Sequence, residues 1–211
     1  MKLFKSAYGK VSLMLILLLT VIMSLYLGSA EMTFNEFLFG LIRKEGFETE
    51  QLIIYSLRLP RVLGAIIAGA GLSLSGLILQ CVTNNNLASP NIIGVNSGAG
   101  VGVVLTLVLF PAAIHTLPLS AFAGAFITTL FIVGISAKSG FGRSTVILTG
   151  VAVTALLNSF ISFLSYKDAD ILVSYNYFSV GGLSGVTTKE LALPFIIVAV
   201  SIITALFYSR E

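Results

Sequence analysis

The sequence predicts an all-α, polytopic membrane protein of about six transmembrane helices, and three observations carry that prediction. Hydrophobic residues make up 56% of the 211 and charged residues 10%, against roughly 45 to 50% apolar and 25% charged in soluble domains; the mean hydropathy is +1.02. The apolar residues gather into runs without Asp, Glu, Lys or Arg, each near the roughly 20 residues that cross about 30 Å of hydrocarbon at 1.5 Å per residue. Most connections between the runs are short, which sets sequential helices side by side in antiparallel order. One transmembrane domain over residues 1–211 is the expected organisation.

The first run, Val11 to Ala30, follows Lys2, Lys5 and Lys10 and ends on Gly28-Ser29-Ala30. A secretory signal peptide competes for this segment, because basic residues precede it and small residues close it. Its apolar stretch is long for a signal sequence and matches a full span, so a first transmembrane helix is the reading adopted. The one long polar stretch, Glu31 to Arg61, carries two candidate short amphipathic helices for the membrane surface, Met32 to Phe37 and Gln51 to Tyr55.

The remaining spans lie near Val62 to Val82, Asn91 to Pro111, Leu117 to Ala137, Thr145 to Tyr166 and Leu191 to Tyr208. In lipid, helices associate through close approach at small residues. The second span offers Gly64, Ala68, Gly71 and Ser75 for this, and the third Gly94, Gly98 and Gly102. The fifth span repeats small and polar residues on one face, Gly150, Thr154, Asn158, Ser162 and Ser165. An amide in hydrocarbon is costly unless it bonds to a neighbour or faces a cavity. Interhelical hydrogen bonding and the lining of a solute pathway both account for that stripe.

Several function classes are excluded or disfavoured. The net charge of +3 is scattered over termini and loops, without the dense basic surface that tracks a phosphate backbone, so nucleic acid is not an expected partner. Cys81 is the single cysteine and His115 the single histidine, so neither a disulfide nor a metal site is expected. Gly98-x-Gly100-x-Gly102 lies inside an apolar span without the further glycine and acidic residue of a dinucleotide fold, and Gly140 to Thr145 lacks the lysine of a phosphate loop. No cofactor is expected. No Asp, Glu, Lys or Arg lies within any span, which argues against a carrier driven by proton or ion gradients, although sodium coupling through neutral oxygens stays open. The flanking charges are evenly divided, so an amino terminus in the cytoplasm rests on the three lysines before the first span.

Leu57-Arg58-Leu59-Pro60-Arg61-Val62-Leu63, followed by Ala68 to Gly76 and Gln80, resembles the second-span signature of the FecCD family. Its members are permeases of importers for iron-siderophore complexes, haem and vitamin B12. The likeness continues through Asn85 to Gly100, Ile147 to Ala152 and Gly181-Gly182-Leu183-Ser184-Gly185, in order and spacing over nearly the whole chain. Where the family usually reads Asn-Pro-Leu-Ala, this chain has Asn86 in place of the proline, and a looser turn is expected there.

The resemblance implies a fold like that of a type II ABC importer permease, truncated relative to the family, with further spans expected beyond Glu211. It implies partners: separate ABC ATPase subunits, an extracytoplasmic substrate-binding protein, a second permease subunit forming a dimer, and a metal-chelate ligand within the bacterial cytoplasmic membrane and its lipid. The chain itself is then not an enzyme. Residue by residue, Arg58 and Arg61 are implied as exposed guanidinium groups that dock the binding protein, against the plainer reading that they anchor the span at the headgroups. The stripe of the fifth span is implied to line the translocation pathway. Ile171 to Gly182 resembles a short re-entrant gating helix, with Asp168, Asp170, Gly181 and Gly182 in the gate region. An autonomous channel or gradient-coupled carrier, and a nonfunctional fragment, remain the competing readings.

Overall fold

The computed structural model describes residues 7–86, 89–90, 94–138, 143–166 and 168–208. Lys2, Lys5, Leu87, Ala88, Asn91 to Ile93, Gly140, Lys167 and Arg210 lie outside the described residues. Among the described residues the chain is helical, with nine α-helices. Four helical stretches are long and apolar enough to cross a membrane, Tyr8–Tyr26, Glu48–Val82, Ile114–Lys138 and Thr145–Tyr166; Val95–Leu109 and Ala192–Tyr208 are shorter apolar helices. The chain folds as two compact units, Met1–Gly71 with Leu183–Glu211, and Leu72–Gly182.

The first unit begins with α1 (Ala7–Tyr26), whose flank is almost wholly exposed leucine, isoleucine and methionine. Such a surface suits acyl chains as solvent. Short α2 (Phe34–Leu41) is started by a reciprocal capping box: the Glu36 N–H donates to Thr33 Oγ1, and the Thr33 N–H donates to Glu36 Oε2 at 2.7 Å. Tyr26 meets Phe34 and Phe37 edge-on. The link after α2 is fastened by aromatic contacts typical of a membrane boundary, with Arg43 over the Tyr55 ring and Lys44 over Phe39, while Tyr55 donates to the Leu41 carbonyl at 2.7 Å.

Gln51 to Tyr55 do not form the separate surface helix expected of them. They belong to α3 (Glu48–Leu52) and a π-helical turn (Ile53–Arg58) that run unbroken into α4 (Leu59–Thr83). The cause is Pro60, which lacks an N–H and whose ring would strike the carbonyl four residues back in a regular α-helix. A wider turn, with the Leu59 N–H donating to the Ile54 carbonyl five residues back, avoids that clash. Within this unit Gly64 of α4 faces Leu183 and Leu191, and Gly71 faces Val198 of α9 (Ala192–Tyr208).

The second unit takes the remainder of α4 and adds α5 (Val95–Leu109), a 3-10 turn (Ile114–Thr116) holding His115, α6 (Leu117–Lys138), α7 (Arg143–Tyr166) and α8 (Ala169–Val180). Before α5, Gln80 donates to the Asn86 carbonyl at 3.1 Å, tying the turn where the family proline is replaced. The buried residues here are small or slim: Ser97, Gly98, Gly100, Val103, Val104, Thr128, Ile132, Ser136, Ile161 and Ser165. The bulky leucines and phenylalanines of α6 and α7 point outward. This inversion of a water-soluble core follows from lipid being as apolar as leucine, so that close backbone approach drives association instead.

Candidate functional site

α5 and α6 form a seam of backbone against backbone. A Cβ on Gly98 would lie 2.6 Å from Thr128 Cβ and 2.7 Å from the Gly124 carbonyl oxygen, and one on Gly102 would collide with the Ser120 carbonyl. As Gly98 pairs with Gly124 and Gly102 with Ser120, the helices are antiparallel. Gly94 behaves differently from the other two: it precedes α5 with φ of +81° and abuts Thr154 of α7, where a Cβ would lie 2.7 Å from Oγ1. On α4, Gly64 and Gly71 face neighbours, whereas Ala68 and Ser75 are exposed.

The polar stripe of α7 divides. Gly150 is buried, the Thr154 hydroxyl is shielded, and Ser165 is 2% exposed, whereas Asn158 and Ser162 are exposed. Each four-residue step overshoots a helical turn by about 40°. A run of such steps therefore drifts round the helix, carrying Asn158 and Ser162 away from the packed face while Ser165, three residues on, returns to it.

α8 turns back along α5. Tyr175 packs where a Cβ on Gly100 would meet its ring at 3.0 Å, and Phe178 and Ser179 join Asn96, Ser97 and Ala99 around a cleft of about 280 Å³. Because Gly94 touches Thr154, near the midpoint of α7, the last turn of α8 ends level with the middle of that helix. At 12 residues α8 is too short to cross a membrane by itself. It begins two residues before the expected Ile171 and ends at Val180.

Asp168 and Asp170 start this helix. Asp168 is the N-cap, accepting the Asp170 N–H at 2.9 Å on Oδ1, and Asp170 lies in the first turn, where a carboxylate meets the positive end of the helix dipole. Gly181 ends it at φ 70°, ψ 179°, a conformation open essentially to glycine alone. Gly181 and Gly182 are both exposed.

Arg58 departs from the exposed docking group implied for it. It is 7% exposed, and its guanidinium donates to the backbone carbonyls of Leu25, Tyr26 and Ala30. Arg61 is exposed. Residues overlooked in the sequence are Ser97, Tyr175 and Phe178 of the cleft, and Gly124 of the seam. For Gly124 a signal existed, since Ser120, Gly124 and Thr128 recur at four-residue spacing.

The chain matches the model of the FecCD transport family over residues 16–211. It is 36% identical over 167 residues to the cobalamin import system permease protein BtuC of Halobacterium salinarum, covering 78% of this chain and 45% of that protein. It is 37% identical over 186 residues to the achromobactin transport system permease protein CbrC of Dickeya dadantii, covering 86% and 53%. The chain thus spans about half the length of these relatives. Among solved structures, a metal-chelate type ABC transporter in an inward-facing conformation superposes with a TM-score of 0.72 at 29% identity, covering 88% of this chain and 58% of that one. With the later spans, the glycine seam and α8 all falling inside the matched residues, the chain belongs to the FecCD transport family.

Proposed function

We propose that this chain belongs to a membrane-spanning permease subunit in a binding-protein-dependent ABC importer, carrying iron-siderophore or related metal-chelate ligands into the cytoplasm. The observation that carries the reading is α8, which runs back beside α5, finishes level with the middle of the spanning helix α7 and ends on the exposed Gly181-Gly182. Irregular backbone at that depth is tolerated only where protein or water covers it. A loop bordering a hydrated route meets this condition, and the outward edge of α7, with Asn158 and Ser162, supplies polar groups to the same end. Gly150, Thr154 and Ser165 belong to the packed face and act by holding α7 in place.

In this reading the chain does no covalent chemistry. Separate ATPase subunits drive the cycle, a second permease subunit completes the pathway, and a binding protein delivers ligand to the outer face, where exposed Arg61 offers a charge for acidic groups. The amino terminus lies in the cytoplasm and the subunit resides in the bacterial inner membrane. The uncharged spans fit an energy source outside the bundle.

Reconstitution of the intact transporter in vesicles tests the proposal. Uptake of ferric siderophore that needs both internal ATP and added binding protein is expected. Uptake driven by an ion gradient without either would instead establish an autonomous carrier.

A further inference from the structure

We infer that Arg58 is a positioning residue, a clasp that closes the end of α1 and fixes the turn before α2, leaving Arg61 as the guanidinium of the pair that faces outward. The last carbonyls of a helix have no partner within it, and they form its negative end. In α1 the final internal bond runs from the Leu27 N–H to the Met23 carbonyl. Two of the orphaned carbonyls beyond it, Leu25 and Tyr26, are taken by Arg58 Nη1, the former at 2.8 Å, while Nη2 donates to Ala30 in the following turn at 2.5 Å.

Three acceptors lying in different directions suit a planar fork with five N–H donors, and a lysine ammonium serves them less well. Gly28 makes room: a Cβ there would stand 3.0 Å from Nη2 and 3.1 Å from both Cζ and Nε. The π-helical turn forced by Pro60 ends on Arg58. It contains Ile54, which is 1% exposed and packs beside Gly40 of α2. The clasp therefore joins α1, the turn and α2 at a point where α1, otherwise exposed along its length, has few other attachments. The assignment of Arg58 stands on these contacts alone; the assignment of Arg61 rests on the docking reading above.

The test uses the chain purified in detergent, with cleavage after exposed Glu31 by a glutamate-specific protease as the readout. Arg58→Ala is expected to speed that cleavage by about tenfold or more, since charge-assisted hydrogen bonds are lost from a turn they hold closed. Arg58→Lys should restore part of the protection, and Arg61→Ala should leave it at the wild-type rate. Cleavage unchanged in Arg58→Ala overturns the clasp; if that variant does not accumulate, unchanged cleavage in Arg58→Lys does so. A second arm measures association of the transporter's binding protein against salt concentration. Arg61→Ala should flatten the salt dependence and Arg58→Lys should leave it intact. If Arg61→Ala leaves association unchanged, the docking role fails while the clasp is judged by cleavage alone.

Discussion

At Glu36, first the Thr33 backbone N–H and then the Thr33 hydroxyl hold the carboxyl below the ordinary carboxylate range. A carboxyl held low in the folded state favours the capped α2 above its unfolded pKa, and that contribution disappears as pH falls through the lowered value. An NMR titration of Glu36 should show this depressed midpoint, and Thr33→Val should raise it. Asp168 allows a sharper test of what a charge at the start of α8 does. If it serves as the N-cap of α8, Asp168→Asn keeps the oxygen acceptor and most of the uptake activity, whereas Asp168→Ala costs about 1 kcal/mol of helix stability and lowers uptake. Equal loss in both variants would identify the charge, not the cap, as the requirement. Arg58 marks the limit of reading single residues. Its three acceptors stand 28 to 33 positions away, and no local pattern announces such a contact, so the arginine pair looked equivalent in sequence and is not equivalent in the fold.

Among the elements, the α5–α6 seam is the most constrained. Gly98→Ala places a methyl within 2.7 Å of the Gly124 carbonyl oxygen, and backbone cannot move aside as a side-chain end can. A loss of about 1 to 3 kcal/mol is expected, the usual consequence of overpacking. Gly134→Ala, with nothing within 4 Å of its Cβ position, is the control on α6 and should be stabilising by up to about 1 kcal/mol in the same thermal-unfolding measurement. Half of this seam was legible beforehand, since Gly98 and Gly102 carry the four-residue spacing of close-packed helices, while Gly124 was masked by the phenylalanines around it. The α7 stripe was legible as a stripe but not as two faces. Spacing fixes which residues neighbour one another along a helix, and only the positions of α5 and α6 decide where the packed arc stops. The apolar spans were the most legible feature, because hydrocarbon thickness constrains length and composition together. α5 was read as longer than it is: its described helix has 15 residues, about 22 Å, a length suited to a helix walled by α6, α7 and α8 more than by lipid.

For the whole molecule, the outward edge of α7 carries the clearest expectation. Asn158→Leu removes an exposed amide one turn from the middle of a spanning helix. In isolated, detergent-purified chain it should raise thermal stability in lipid-like surroundings by about 1 to 3 kcal/mol, and in the assembled transporter it should reduce uptake several-fold. Stability and flux moving in opposite directions would mark Asn158 as a residue kept for transport; joint loss would mark it as an internal hydrogen-bonding group.

That amide has a further consequence for how copies distribute in the bilayer. A lone molecule adrift among acyl chains leaves Asn158 and Ser162 poorly solvated, whereas any arrangement that brings a second surface or a thread of water to them relieves the strain. The membrane thus favours any arrangement that brings protein or water to this edge of α7.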